Sequence, residues 1–193
     1  MDKEYLIHQR PLQALLVFSL PMMIGNLFQQ FYTMVDSIVV GQFVSQDALA
    51  AVGASYSLTN VFISIAIGGG IGASVLTSRY FGARSYDRMK GSVQTALLSF
   101  LILSLLLAGI GLLCSRQILL LLNTPANIMD MATEYLNIYF LGLPFLFLYN
   151  VLSAMFNALG RSRIPLYLLI FSSLFNIALD LFLVLVFQMG VSG

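Results

Sequence analysis

The sequence predicts an all-α, polytopic membrane protein built as a bundle of five transmembrane helices. Composition is the first reason. Of 193 residues, 59% are hydrophobic and 9% are charged, against roughly 25% charged in an ordinary soluble domain. The mean hydropathy of +0.92 leaves too little charge to coat a soluble particle of this size. Run length is the second reason. The long stretches free of Asp, Glu, Lys and Arg suit helices, which need about 20 apolar residues to cross the hydrocarbon core. They are far too long for barrel strands of roughly 10 alternating residues.

Pro11 to Val35 is the first such stretch and predicts a helix over 12–41. It exceeds the roughly 7–15 residues of a signal-peptide core and no small-residue cleavage site follows, so it is expected to stay as an anchor. Ala48 to Ser78 predicts a helix over 47–80. Its Gly68-Gly69-Gly70-Ile71-Gly72 run allows close helix approach and lacks the context of a nucleotide loop. Gly91 to Ser115 predicts 88–114, and Tyr135 to Gly160 predicts 127–159. Ile164 to Leu179 continues past Asp180 and predicts 162–188. Gly82–Asp87, Asn123–Asn127 and Gly160–Arg163 carry the turn chemistry between helices two to five. Pro165 suits a first helical turn. Pro21 and Pro144 remove backbone hydrogen bonds, and Pro21 is the expected hinge of helix one.

The charges orient the bundle. Lys3, Arg10, Arg79, Arg84, Arg88, Lys90, Arg161 and Arg163 fall on one side if five helices alternate, and Arg116 falls alone on the other. The positive-inside rule then puts the N-terminus in the cytoplasm. His8 sits in a short polar leader that suits the membrane surface. A net charge of +1 offers no basic field for nucleic acid. One cysteine, Cys114, forbids an intramolecular disulfide. No zinc-type ligand cluster, Ser–His pair or paired-aspartate motif with flanking glycine is present, so neither an enzyme nor a bound cofactor is expected.

Polar residues inside the apolar helices carry the functional signal. A carboxylate at a helix centre costs about 2.5–3.5 kcal/mol on insertion scales. Asp36 in helix one and Asp180 in helix five bear that cost. At 100° per residue, Asn26, Gln29, Gln30, Thr33, Asp36 and Ser37 share a face about 120° wide. Asn176 lies one turn from Asp180, with Ser172 and Ser173 on the same side. Helix four offers Asn150, Ser153 and Asn157. At ~1.5 Å per residue, Asp180 lies about 25 Å along its helix from Arg163, and Asp36 lies about 31–36 Å along helix one. Two polar faces at similar depth are expected to line one water-filled cavity, suited to a proton or cation relay. The bland alternative is helix–helix glue, with amides and hydroxyls bonding across an interface.

These residues also carry a resemblance. The run from Pro21 through Asn26, Gln29, Tyr32, Asp36 and Val40-Gly41 to Ala48-Leu49-Ala50-Ala51-Val52-Gly53 resembles the start of the multidrug and toxic compound extrusion (MATE) family. Phe156-Asn157-Ala158-Leu159-Gly160 with Arg163 and Pro165 resembles its fourth-to-fifth helix junction, and Asn176-Ile177-Ala178-Leu179-Asp180 its fifth helix. Phe43-Val44-Ser45 departs from the pattern, because many relatives carry a glycine in that loop. The resemblance implies twelve helices in two lobes, with residues 1–193 forming five helices of an N-terminal six-helix lobe; the sixth helix and C-terminal lobe lie beyond it. It implies a bacterial cytoplasmic (inner) membrane protein that exports amphipathic, often cationic compounds in exchange for H⁺ or Na⁺. Asp36, Asn176 and Asp180 would bind the coupling cation, with Na⁺ as the only metal in question. Asn26, Gln29, Gln30, Thr33, Tyr139 and Asn157 would line the cavity. A flippase for lipid-linked sugars would share the helix plan, but is expected to show a more cationic interior. A non-transporting subunit of a membrane complex is the alternative from another class.

Overall fold

The computed structural model describes residues 11–190; Lys3, His8 and Arg10, used above for orientation and surface placement, lie outside them. Five α-helices follow one another: α1 (Pro11–Val39), α2 (Gln46–Gly82), α3 (Tyr86–Leu121), α4 (Met129–Ala158) and α5 (Arg163–Leu185). A short π-helical segment, Val40–Val44, extends α1. The described residues contain no strand. By length and composition, α2, α3, α4 and α5 can each cross a membrane. The chain is an integral membrane protein.

The helix ends follow from local chemistry. Ser45 caps α2, its Oγ accepting from the Ala48 N–H at 3.0 Å, which satisfies one of the free donors of the first turn. The C-termini of α2, α3 and α4 close alike. Arg84 N–H donates to Phe81 O and Ser85 N–H to Tyr80 O, each at 3.0 Å. Asn123 and Thr124 repeat this on Leu120 and Leu119, and Gly160 and Arg161 on Asn157 and Phe156. Each is a Schellman closure, with Arg84, Asn123 and Gly160 at positive φ. Helix α3 runs to Leu121 rather than stopping at 114. Arg116 does not end it, because its side chain reaches out to Asp130 at 3.7 Å while both remain solvent-exposed.

Packing centres on α4. Its buried face carries large side chains at helical spacing: Leu136, Phe140, Leu143, Phe147, Val151 and Met155. The facing helices answer with small ones. On α2 these include Ala51, Ser55, Thr59, Ala66 and Gly70; on α3 they include Ala96, Ser104, Ala108 and Gly111. Large side chains fill the hollows that small ones leave, so the backbones approach closely without a hydrophobic drive between helices. Phe140 is fully buried and meets Phe62 edge-on, with centroids 5.2 Å apart. The outward faces are apolar, as on α3 at Leu98, Ile102, Leu105, Leu106 and Ile110, which suits contact with lipid tails.

Helices α2, α3 and α4 thus form one packed group, and α1 and α5 a parallel pair beside it. No extended helix–helix contact joins pair to group; the π segment meets α2 at one end, and the α4–α5 connection closes the other. There Ser162 Oγ donates to Phe18 O at 3.3 Å.

The α3–α4 contact gives a direct test. A Cβ at Gly111 would lie 2.5 Å from the Phe140 ring, and that ring has no free space to enter. Gly111→Ala is expected to destabilise the bundle by about 1–3 kcal/mol, read as a lowered unfolding midpoint in detergent. An unchanged midpoint would contradict this packing.

Candidate functional site

Among the described residues, two cavities lie along the gap between the α1–α5 pair and the three-helix group. The smaller, about 210 Å³, lies at the end of the bundle that carries the π segment. Asp36 reaches it from α1, Asp180 from α5, and Tyr135 and Tyr139 from α4. Val39, Val40, Val52 and Val184 supply apolar wall. Asp36 and Asp180 thus face one space from two different helices. Asn176 Nδ2 donates to Asp180 Oδ1 at 3.4 Å. Tyr139 spends its hydroxyl proton on the Thr59 carbonyl of α2 at 3.2 Å, so its oxygen lone pairs remain open to the cavity.

The larger cavity, about 470 Å³, lies toward the opposite end. Pro21, Asn26 and Gln29 line it from α1, and Tyr149, Asn150, Ser153 and Asn157 from α4. Ile67 and Ile71 of α2 and Leu166 and Leu169 of α5 make its apolar walls. No charged side chain lines it. The Asn157 Oδ1 is buried and without a hydrogen-bond partner among the described residues. An unpaired acceptor in an apolar wall favours a donor group arriving from within the cavity.

The polar stripe of α1 is therefore divided. Its aspartate enters the small cavity and its amides, Asn26 and Gln29, the large one. The single shared cavity expected from helical periodicity becomes two, because the stripe from Asn26 to Asp36 runs about 15 Å along α1, and its two ends open into different parts of the gap. Gln30 and Thr33 are exposed on α1 and line neither cavity. The Thr33 hydroxyl donates to the Gln29 carbonyl at 2.9 Å, and Ser37 to Thr33 O at 2.9 Å. These hydroxyls serve their own helix. Asn176 touches the small cavity through Asp180. Tyr135 and Tyr149 were not singled out from the sequence. Their signal was a spacing: Tyr135 and Tyr139 stand one turn apart, and Tyr149 precedes Asn150 and Ser153.

Chemically, the small cavity offers two carboxylates, an amide that orients one of them, and two phenol groups. It could take up a proton or a small hard cation through oxygen ligands. Among the described residues no group of three or more His, Cys, Asp or Glu side chains is placed to hold a metal ion.

The MatE family model matches residues 21–182. The chain is 35% identical over 167 residues to "Probable multidrug resistance protein YoeA" of Bacillus subtilis (strain 168), a match spanning 86% of this chain and 36% of that protein. It is 27% identical to "Multidrug export protein MepA" of Staphylococcus aureus (strain MRSA252), across 100% of this chain and 43% of MepA. In fold it is similar to a solved structure described as the outward-facing conformation of a multidrug resistance MATE family transporter of the MOP superfamily. There the TM-score is 0.91 at 25% identity, covering 100% of this chain and 42% of that one. The chain thus spans less than half the length of the relatives it matches.

Accessibility tests the larger cavity. With Cys114→Ser as background, a cysteine placed at Gln29 is expected to react readily with a water-soluble maleimide. One at Leu141, which faces outward from α4, is expected to stay unreactive in membranes. Equal reactivity at both positions would contradict a water-filled gap beside α1.

Proposed function

The chain belongs to the MatE family, and from that premise we propose that it works as part of a multidrug efflux antiporter. Amphipathic, often cationic compounds leave the cell while H⁺ or Na⁺ enters. One observation carries the proposal: Asp36 and Asp180 reach a shared cavity from two helices of an otherwise charge-poor interior. The seven Lys and Arg side chains among the described residues are all exposed. That distribution supports cationic or neutral cargo over phosphate-bearing lipid-linked sugars.

In this reading, Asp36, Asn176 and Asp180 form the coupling-cation site. Two negative charges in one low-dielectric cavity repel, and a proton or Na⁺ relieves both the repulsion and the cost of burial. The bound cation thereby favours closer approach of α1 to the group of α2, α3 and α4. The unbound state favours a wider, wetter gap. Substrate takes the larger cavity, where Asn26, Gln29 and Asn157 offer hydrogen bonds and Ile67, Ile71 and Leu169 offer apolar contact. Antiport then requires only that cation and substrate prefer different packings of α1. Pro21 lines that cavity, and its missing N–H leaves the Val17 carbonyl without its helical donor. It is the natural point for α1 to bend. The five helices would act as most of one lobe, working against a second lobe in the cytoplasmic membrane with the N-terminus inside.

Asp36→Asn removes the titrating charge and keeps the shape. Cells expressing it are expected to retain helical, membrane-inserted protein and to lose cation-driven dye efflux. Wild-type efflux from that variant would overturn the proposal.

A further inference from the structure

The connections α2–α3 and α4–α5 lie at the same end of the bundle, and six of the seven described cations gather there. Arg79 ends α2, Arg84 tips the turn, Arg88 and Lys90 begin α3, and Arg161 and Arg163 flank the start of α5. All six are exposed, and Asp87 is the sole carboxylate among the described residues at this end. Thr77 Oγ1 contacts Met155 Sδ at 3.0 Å. That contact holds the last turns of α2 and α4 side by side, so the two basic connections emerge next to each other.

Helix stability does not account for this arrangement. Arg88, Lys90 and Arg163 sit in the opening turns of α3 and α5, where the helix dipole disfavours cations and attracts anions. No ion pair engages any of the six among the described residues. Arg84 keeps a φ of 56°, a backbone state in which glycine would be easier. The turn nonetheless presents an arginine at its tip.

Two further features identify what these charges meet. Tyr86 and Tyr167 are exposed within one turn of Arg84, Arg88 and Arg163, and such tyrosines mark the headgroup level of a bilayer. Below them the helix surfaces are apolar and open, as at Leu76, Leu98, Leu168 and Phe171. A guanidinium rim above greasy helix faces matches one molecule on both counts, a phosphate-bearing amphiphile. We propose that this end of the bundle is a docking surface for anionic phospholipid, its cations binding headgroup phosphates while acyl chains lie along α2, α3 and α5.

Native mass spectrometry of the protein, exchanged from detergent into mixed phosphatidylglycerol and phosphatidylcholine micelles, tests this. Wild type is expected to retain phosphatidylglycerol in preference. The R84Q/R161Q/R163Q triple variant is expected to lose that preference. Arg116→Gln, at the opposite end, is expected to keep it and reports whether charge loss alone matters. Helical content by circular dichroism separates a lost site from a lost fold; should the triple variant unfold, R84Q alone is expected to weaken retention. Equal retention of both lipids by wild type would overturn the proposal. So would undiminished preference in a folded variant, or displacement of the lipid by inorganic phosphate, which would mark a site for soluble anions.

Discussion

Two like charges held in one cavity of a membrane bundle set the terms for the rest of this molecule. Asp36 and Asp180 line that cavity with no arginine or lysine beside them. A dry, tightly packed α1–α4 interface at that depth would be prohibitive. The gap between the α1–α5 pair and the three-helix group is therefore a requirement of the sequence. The amides of α1 and α4 line the same gap further along.

The remaining helices supply what the gap takes away. Stability resides in the fit of large α4 side chains into the small-residue faces of α2 and α3, which needs no charge and leaves no space. A rigid group and a loosely attached pair follow. The pair meets the group mainly at its ends, through the π segment against α2 and through the α4–α5 connection, where Ser162 bonds to Phe18. In the proposed mechanism, a cation that neutralises the cavity would act on the part of the fold with the least packing to resist it.

The sequence announces much of this and hides a definite remainder. Five helices are legible because lipid leaves the backbone no other choice. Asp36 and Asp180 are legible because charge in an apolar run is costly. The division into two cavities is not, because it depends on α1 pairing with α5 rather than with its chain neighbour α2, which periodicity does not encode. Tyr135 and Tyr149 are overlooked for a related reason: a tyrosine in a membrane helix suits lipid interface, core and cavity equally. The closure of α4 at Gly160 is readable from glycine. The same closure at Arg84 is not, since an arginine at positive φ follows no residue preference. Arg116 reads as a helix stop and is instead a side chain long enough to reach water from within α3.

The most direct test of this account is cation binding by the purified protein, measured as ²²Na⁺ capture and proton uptake side by side. The account predicts that one of these cations binds to wild type, and that Asp36→Asn and Asp180→Asn each remove that binding, because the two carboxylates form one site. Binding that survives in both variants would place the bound cation elsewhere and contradict the central claim.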